Sequence, residues 1–190
     1  MFKTLVVGML LGMALLAGGG YYYFVSGMAP AAAGDPMMPF EHMLATRSLR
    51  AHIEKANIPP PPIAANDETL IAGAKLYKEN CAVCHGLPDH TPPVIADNMF
   101  PHAPLLFKGK GVSDDPPQES YWKIVNGIRL TGMPAFKSQL NDTQMWQVAL
   151  LVAGSDKLSD AVKKELMPEP PPDASTAPMA APAKASAARR

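Results

Sequence analysis

Cysteine is nearly absent: the 190-residue chain has two, Cys81 and Cys84, three positions apart. That excludes a fold stapled by disulfides, and it excludes a thiolate zinc site, which usually draws on two such pairs. Charge of one sign is missing too. Lys plus Arg and Asp plus Glu both number 17, so no global field exists to attract or repel nucleic acid. No alternating apolar run is long enough to make a sheet, and the expected fold class is all-α. Proline, at 21, is abundant and clustered. The apolar residues left for a core are few for so many loop positions, which implies that something other than side chains fills the centre.

Four segments divide the chain. Residues 5–25 read LVVGMLLGMALLAGGGYYYFV, without a charge. At helical rise they span about 31 Å, close to the roughly 30 Å of a bilayer's hydrocarbon layer. Tyr21, Tyr22 and Tyr23 sit at the outer end, where amphipathic rings favour the headgroup level. Lys3 precedes the run and Arg47 is the first basic residue after it, a weak bias that sends everything downstream across the membrane. A cleaved signal peptide is the rival reading. The apolar run continues through the tyrosines, which favours an uncleaved anchor over residues 1–27. Residues 28–65 read as a Pro/Ala-rich stalk with a possible short helix between Phe40 and Asn57; the Pro59 to Pro62 run stiffens its end. Residues 167–190 are rich in Pro, Ala and Ser and are expected to be disordered.

The folded domain is expected over residues 66–166. Leu70, Ile71, Ala74, Leu76 and Tyr77 give an apolar stripe that predicts a helix from about Asp67 to Asn80. Asn141 with Gln144 makes a capping-box start for a last helix that Gly154 ends. A shorter helix is expected over residues 118–126.

The chemistry concentrates in ENCAVCHGLPDH, residues 79–90. Two close cysteines suit a disulfide, a dithiol switch, half a zinc site or the anchor of a haem. A dithiol switch of the thioredoxin kind wants a strand–helix setting. Here the pair closes a helix and opens a Pro-rich loop. Cys81, Cys84 and His85 form C-x-x-C-H, the attachment pattern of c-type haem. Two thiols at that spacing reach the vinyl groups on one porphyrin edge, and the adjacent imidazole then lies under the iron.

Such an iron needs a sixth ligand or an open face. Downstream candidates are His90, Met99, His102, Met133 and Met145. Met145 falls in the last helix and reads as core. His90 is five residues from His85, too close for the chain to return from the opposite side of a porphyrin. Met99 and His102 flank Phe100 and Pro101, and spacing does not exclude them. Met133 has the most suitable setting. In NGIRLTGMPAF, Gly127 and Gly132 permit tight turns, and Pro134 pushes Met133 into an extended loop conformation.

With these motifs assembled, the domain resembles the class I c-type cytochromes, in particular the single-haem type related to the haem subunits of cbb3 oxidases. GAKLY (residues 73–77), CAVCHG (81–86), PLL (104–106), TGMPAF (131–136) and LNDTQMW (140–146) carry the resemblance, over residues 67–155. It implies three to four helices around one covalently bound haem c, with Gly73 and Tyr77 meeting the last helix near Trp146. It implies thioether links at Cys81 and Cys84, axial ligands His85 and Met133, and a hydrogen bond from His85 to the Pro104 carbonyl. Tyr121, Trp122 and Arg129 become candidates for a haem propionate.

Two axial ligands would saturate the iron and disfavour catalysis there. The expected function is one-electron transfer by a membrane-tethered carrier of the bacterial inner membrane, its haem domain in the periplasm, with redox proteins or membrane redox complexes as partners and no nucleic acid. The alternative from another class makes the chain the haem-bearing subunit of a membrane-bound oxidase or dehydrogenase.

Overall fold

Helical periodicity organises the described residues of this computed structural model, which are 1–88, 92–107 and 115–167; no strand occurs among them. The helices are α1 (Phe2–Val25), α2 (Glu41–Ala56), α3 (Asp67–Asn80), α4 (Ala82–His85), α5 (Val94–Asp97), α6 (Pro117–Asn126), α7 (Asp142–Ala153) and α8 (Asp160–Leu166). His90 and the tail from residue 168 lie outside the described residues, so the expectations for them have no structural counterpart.

α1 has no buried residue, and by length and composition it can cross a membrane. The possible helix between Phe40 and Asn57 forms as α2. Phe40 and Asn57 flank it in left-handed backbone, while Leu49 and Ile53 are half-buried. Ile58 and Ile63, in the Pro-rich stretch after it, pack against the domain core.

Local chemistry sets the ends of the domain's longer helices. Asn66 Oδ1 accepts the Thr69 N–H at 2.9 Å, and Asp67 and Glu68 follow in the positive first turn of α3. α7 starts with the capping box: Asn141 and Gln144 exchange side chain and backbone bonds at 2.9 Å. Pro117 opens α6, where a missing N–H costs nothing.

α3 crosses α7 at very close range. A Cβ on Gly73 would collide with the backbone carbonyl of Gln147, next to Trp146, so only glycine lets the two backbones approach this far. Tyr77, fully buried, has its ring edge-on to Phe107 and donates its hydroxyl to the Gly86 carbonyl at 2.7 Å. Trp146 stacks on Tyr121 with centroids 4.0 Å apart, which joins α7 to α6.

α8 is an element without a clear sequence signature. Its seven residues bury Val162 and Leu166 completely, and Ser159 caps its start. Each burial contributes roughly 1.5–3 kcal/mol. Three apolar residues in seven, of which only Val162 and Leu166 are large, are too few to register as helical periodicity. A Lys78–Glu165 pair at 2.8 Å ties α8 to α3.

Candidate functional site

The single turn of α4 carries the C-x-x-C-H motif. Cys84 and His85 both donate backbone N–H groups to the Cys81 carbonyl, at 3.1 and 2.9 Å, which gathers the two thiols and the imidazole within one turn. Gly86, at φ 71°, ends the turn. Both thiols are free and half-buried. Burial, with a smaller contribution from Cys84, pushes the Cys81 thiol up to about 12.

His85 is fixed from behind. Its Nδ1 lies 2.8 Å from the Pro104 carbonyl oxygen, which only accepts, so Nδ1 is the donor and Nε2 carries the lone pair. Burial holds the imidazole below the ordinary histidine range, and the Pro104 bond partly offsets this. The neutral, metal-binding form therefore prevails at neutral pH.

Cys81, Cys84 and His85 line a cavity of about 360 Å³ in the domain's centre. Its apolar walls come from Tyr77 of α3, Ile124 of α6, Val148 and Val152 of α7, and Leu106 and Phe136 of the loops. This is the space that side chains leave unfilled, as the small apolar inventory requires.

Met133 enters the cavity from a tightly bonded loop. Gly127 ends α6 at φ 66°, and a Cβ there would lie 2.7 Å from the Pro134 carbonyl carbon. The Thr131 hydroxyl donates to the Ile128 carbonyl at 2.7 Å and accepts the Met133 N–H at 3.1 Å. Ile128 donates back to the Met133 carbonyl at 3.2 Å, and the Phe136 N–H reaches Ile124 at 2.9 Å. The expected tight turn at Gly127 is present. Gly132 serves differently: positive φ falls on Leu130 instead, and the room left by the missing Cβ at Gly132 is taken by the Met99 side chain.

Of the five candidates for a second ligand, Met99, His102 and Met133 line the cavity. Met145 is buried in the core on α7 and does not line it. His42 and His52 on α2 are exposed and do not line it. None of Tyr121, Trp122 and Arg129 does either. Tyr121 donates its hydroxyl to Asp142 and stacks on Trp146, and Arg129 is exposed.

Among the described residues, Lys123 is the lysine or arginine that lines the cavity, paired with Glu119 at 2.6 Å and Asp115 at 3.3 Å. Its i,i+4 relation to Glu119 was visible in the sequence; its direction was not. Leu49 of α2 also lines the cavity, from outside the expected domain.

Comparison with known proteins places these features. Residues 68–152 match the family described as cytochrome C oxidase, cbb3-type, subunit III. The quinohemoprotein alcohol dehydrogenase ADH IIB of Pseudomonas putida is 29% identical over 112 residues. That match takes in 52% of this chain and spans 14% of the dehydrogenase's length. Among solved structures, a chain of the Kuenenia stuttgartiensis reducing HAO-like protein complex aligns with a TM-score of 0.44 and 24% identity. The alignment covers 50% of this chain and 46% of that one.

Proposed function

Starting from residues 68–152 as an all-helical c-type cytochrome domain whose cofactor is covalently bound haem c, we propose that this chain is a membrane-tethered, periplasmic mono-haem electron carrier. Cys81 and Cys84 form the thioether links, and His85 and Met133 are the axial ligands. The observation that carries the reading is convergence. Two thiols, an imidazole with its Nε2 lone pair available and a loop-braced thioether line one apolar cavity. That donor set and those walls fit a haem.

When bound, the haem supplies a one-electron iron couple, and His/Met ligation raises its potential relative to two imidazoles. The chain's own residues do the rest. Pro104 fixes the His85 tautomer and ring orientation and makes the imidazole a better donor. The bonds among Ile128, Thr131 and Met133 hold the thioether loop in one conformation. Lys123 lines the cavity and would place positive charge beside a bound haem, whereas the propionate candidates Tyr121, Trp122 and Arg129 do not line it. If His85 and Met133 both ligate the iron, no coordination site would remain there for substrate, which suits a carrier rather than a catalyst.

In this reading residues 1–27 anchor the chain, 28–65 connect, 66–166 form the haem domain and 167–190 are a tail. α1 supports the anchor by its length and apolar composition.

Met133→His tests the ligand assignment. The weak red-end methionine–iron charge-transfer band disappears and the midpoint potential falls; an unchanged spectrum overturns it.

A second reading makes the chain a fixed haem subunit of a membrane-bound oxidase or dehydrogenase. The family description and the quinohemoprotein relative both favour it. Stoichiometric co-purification with other subunits from detergent-solubilised membranes would select this reading, and isolation as a single chain would select the first.

A further inference from the structure

The distal wall of the cavity holds more than one sulfur. Met99 and Met133 are the two methionines lining the cavity among the described residues, and they come from different loops. Met99 lies against Gly132, the residue immediately before Met133. A Cβ on Gly132 would come within 2.5 Å of the Met99 methyl carbon and 3.6 Å of its sulfur. The Met99 thioether therefore sits on the wall that carries Met133. His85 approaches from the α4 side, bound to Pro104. Glycine at 132 is what allows the placement, since any larger residue would push the end of Met99 away.

Chemistry and mobility both suit Met99 to a ligand's part. Its side chain is unbranched, half-buried and free of backbone constraint beyond Cβ, with three rotatable bonds and a polarisable sulfur. Met133 carries the same side chain, but its backbone is fixed at both N–H and carbonyl within its loop. His102 also lines the cavity, but it is exposed, with Nδ1 3.2 Å from the Ala96 carbonyl, and it stands two residues from the Pro104 that serves His85.

We propose that Met99 is a reserve axial ligand, a second thioether beside Gly132 that takes the iron when Met133 leaves it. This rests on Met133 being the resident ligand. The exchange would break the iron–sulfur coordination bond to Met133 and form one to Met99. Both donors are neutral thioethers, so no proton or electron moves and the charge at the iron is unchanged. The distal position would then stay closed to small ligands when the Met133 side chain rotates away from the iron within its fixed loop.

The test uses the full-length holoprotein in four forms: native, Met99→Leu, Met133→Leu and the double variant. Leucine conserves volume and removes only the sulfur. Covalent haem content, set by Cys81 and Cys84, checks that each form has matured. The readouts are the red-end charge-transfer band of the oxidised protein and the carbon monoxide response of the reduced one. The expected pattern is a band in the native protein and in both single variants, shifted in Met133→Leu, with its loss and carbon monoxide binding only in the double variant. Loss of the band with carbon monoxide binding in Met133→Leu alone overturns the reserve role while leaving Met133 as ligand. Loss in Met99→Leu with retention in Met133→Leu overturns both assignments, because Met99 would then be the resident ligand. A band surviving in the double variant also overturns both.

Discussion

Single residues decide the chemistry, and the sequence disclosed them unevenly. Cys81, Cys84 and His85 were legible because one helical turn brings near neighbours together, so spacing alone carries the geometry. The place of Met133 on the cavity wall was legible through Gly127 and Pro134, its neighbours in the loop. Lys123 and Leu49 were not, since the first is aimed by the rotation of α6 and the second arrives from a helix many residues upstream. The tight space at Gly132 depends on Met99 in another loop, which no local pattern records. Two predictions belong at this scale. Lys123→Gln removes a positive charge beside the cavity, which favours the oxidised iron; a redox titration should show the midpoint potential fall by roughly tens of millivolts. Gly127→Ala places a Cβ against the Pro134 and Met133 backbone at positive φ. It should cost roughly 2–4 kcal/mol in thermal or denaturant unfolding and weaken the methionine–iron band.

At the scale of elements, the apolar stripe placed α3 and the Asn141–Gln144 capping box placed α7. α3 and α7 begin at Asn66 and Asn141, whose side chains accept the N–H groups that the helices leave free. Short elements escaped. α4 and α5 are single turns, and α8 is recognisable only by the burial of Val162 and Leu166, a tertiary fact. The α3–α7 crossing depends on Gly73. Gly73→Val should force the backbones apart and destabilise the domain by roughly 2–4 kcal/mol, read as a lowered melting temperature. The α3–α8 tie is weaker and depends on pH. The hydrogen bond from Lys78 holds the Glu165 carboxyl below the usual carboxylate range. A depressed folded-state pKa stabilises the fold above the ordinary carboxylate value, and this stability is lost as pH falls through the folded value. For a solvent-screened pair the effect is under about 1 kcal/mol. Glu165→Gln should therefore lower stability slightly at neutral pH and change nothing in strong acid, as paired denaturant titrations would show.

For the whole molecule, the balance of charge and the apolar N-terminus were legible directly, whereas the relation of the connecting segment to the haem domain was not. Ile58 and Ile63 pack on the core and Leu49 reaches the cavity, contacts that a reading of the segment as a plain stalk does not anticipate. A domain held near the bilayer meets membrane partners at raised effective concentration, which suits a carrier of single electrons. The anchor assignment predicts that mass spectrometry of the mature protein finds residues 1–27 retained, and that the haem stays with the membrane fraction at high salt. The central claim is that this chain moves electrons through an iron with no open position. It is tested most directly by the visible spectrum of the reduced full-length protein at neutral pH, before and after carbon monoxide. The account predicts an unchanged spectrum; a shift to that of a carbon monoxide adduct would contradict it.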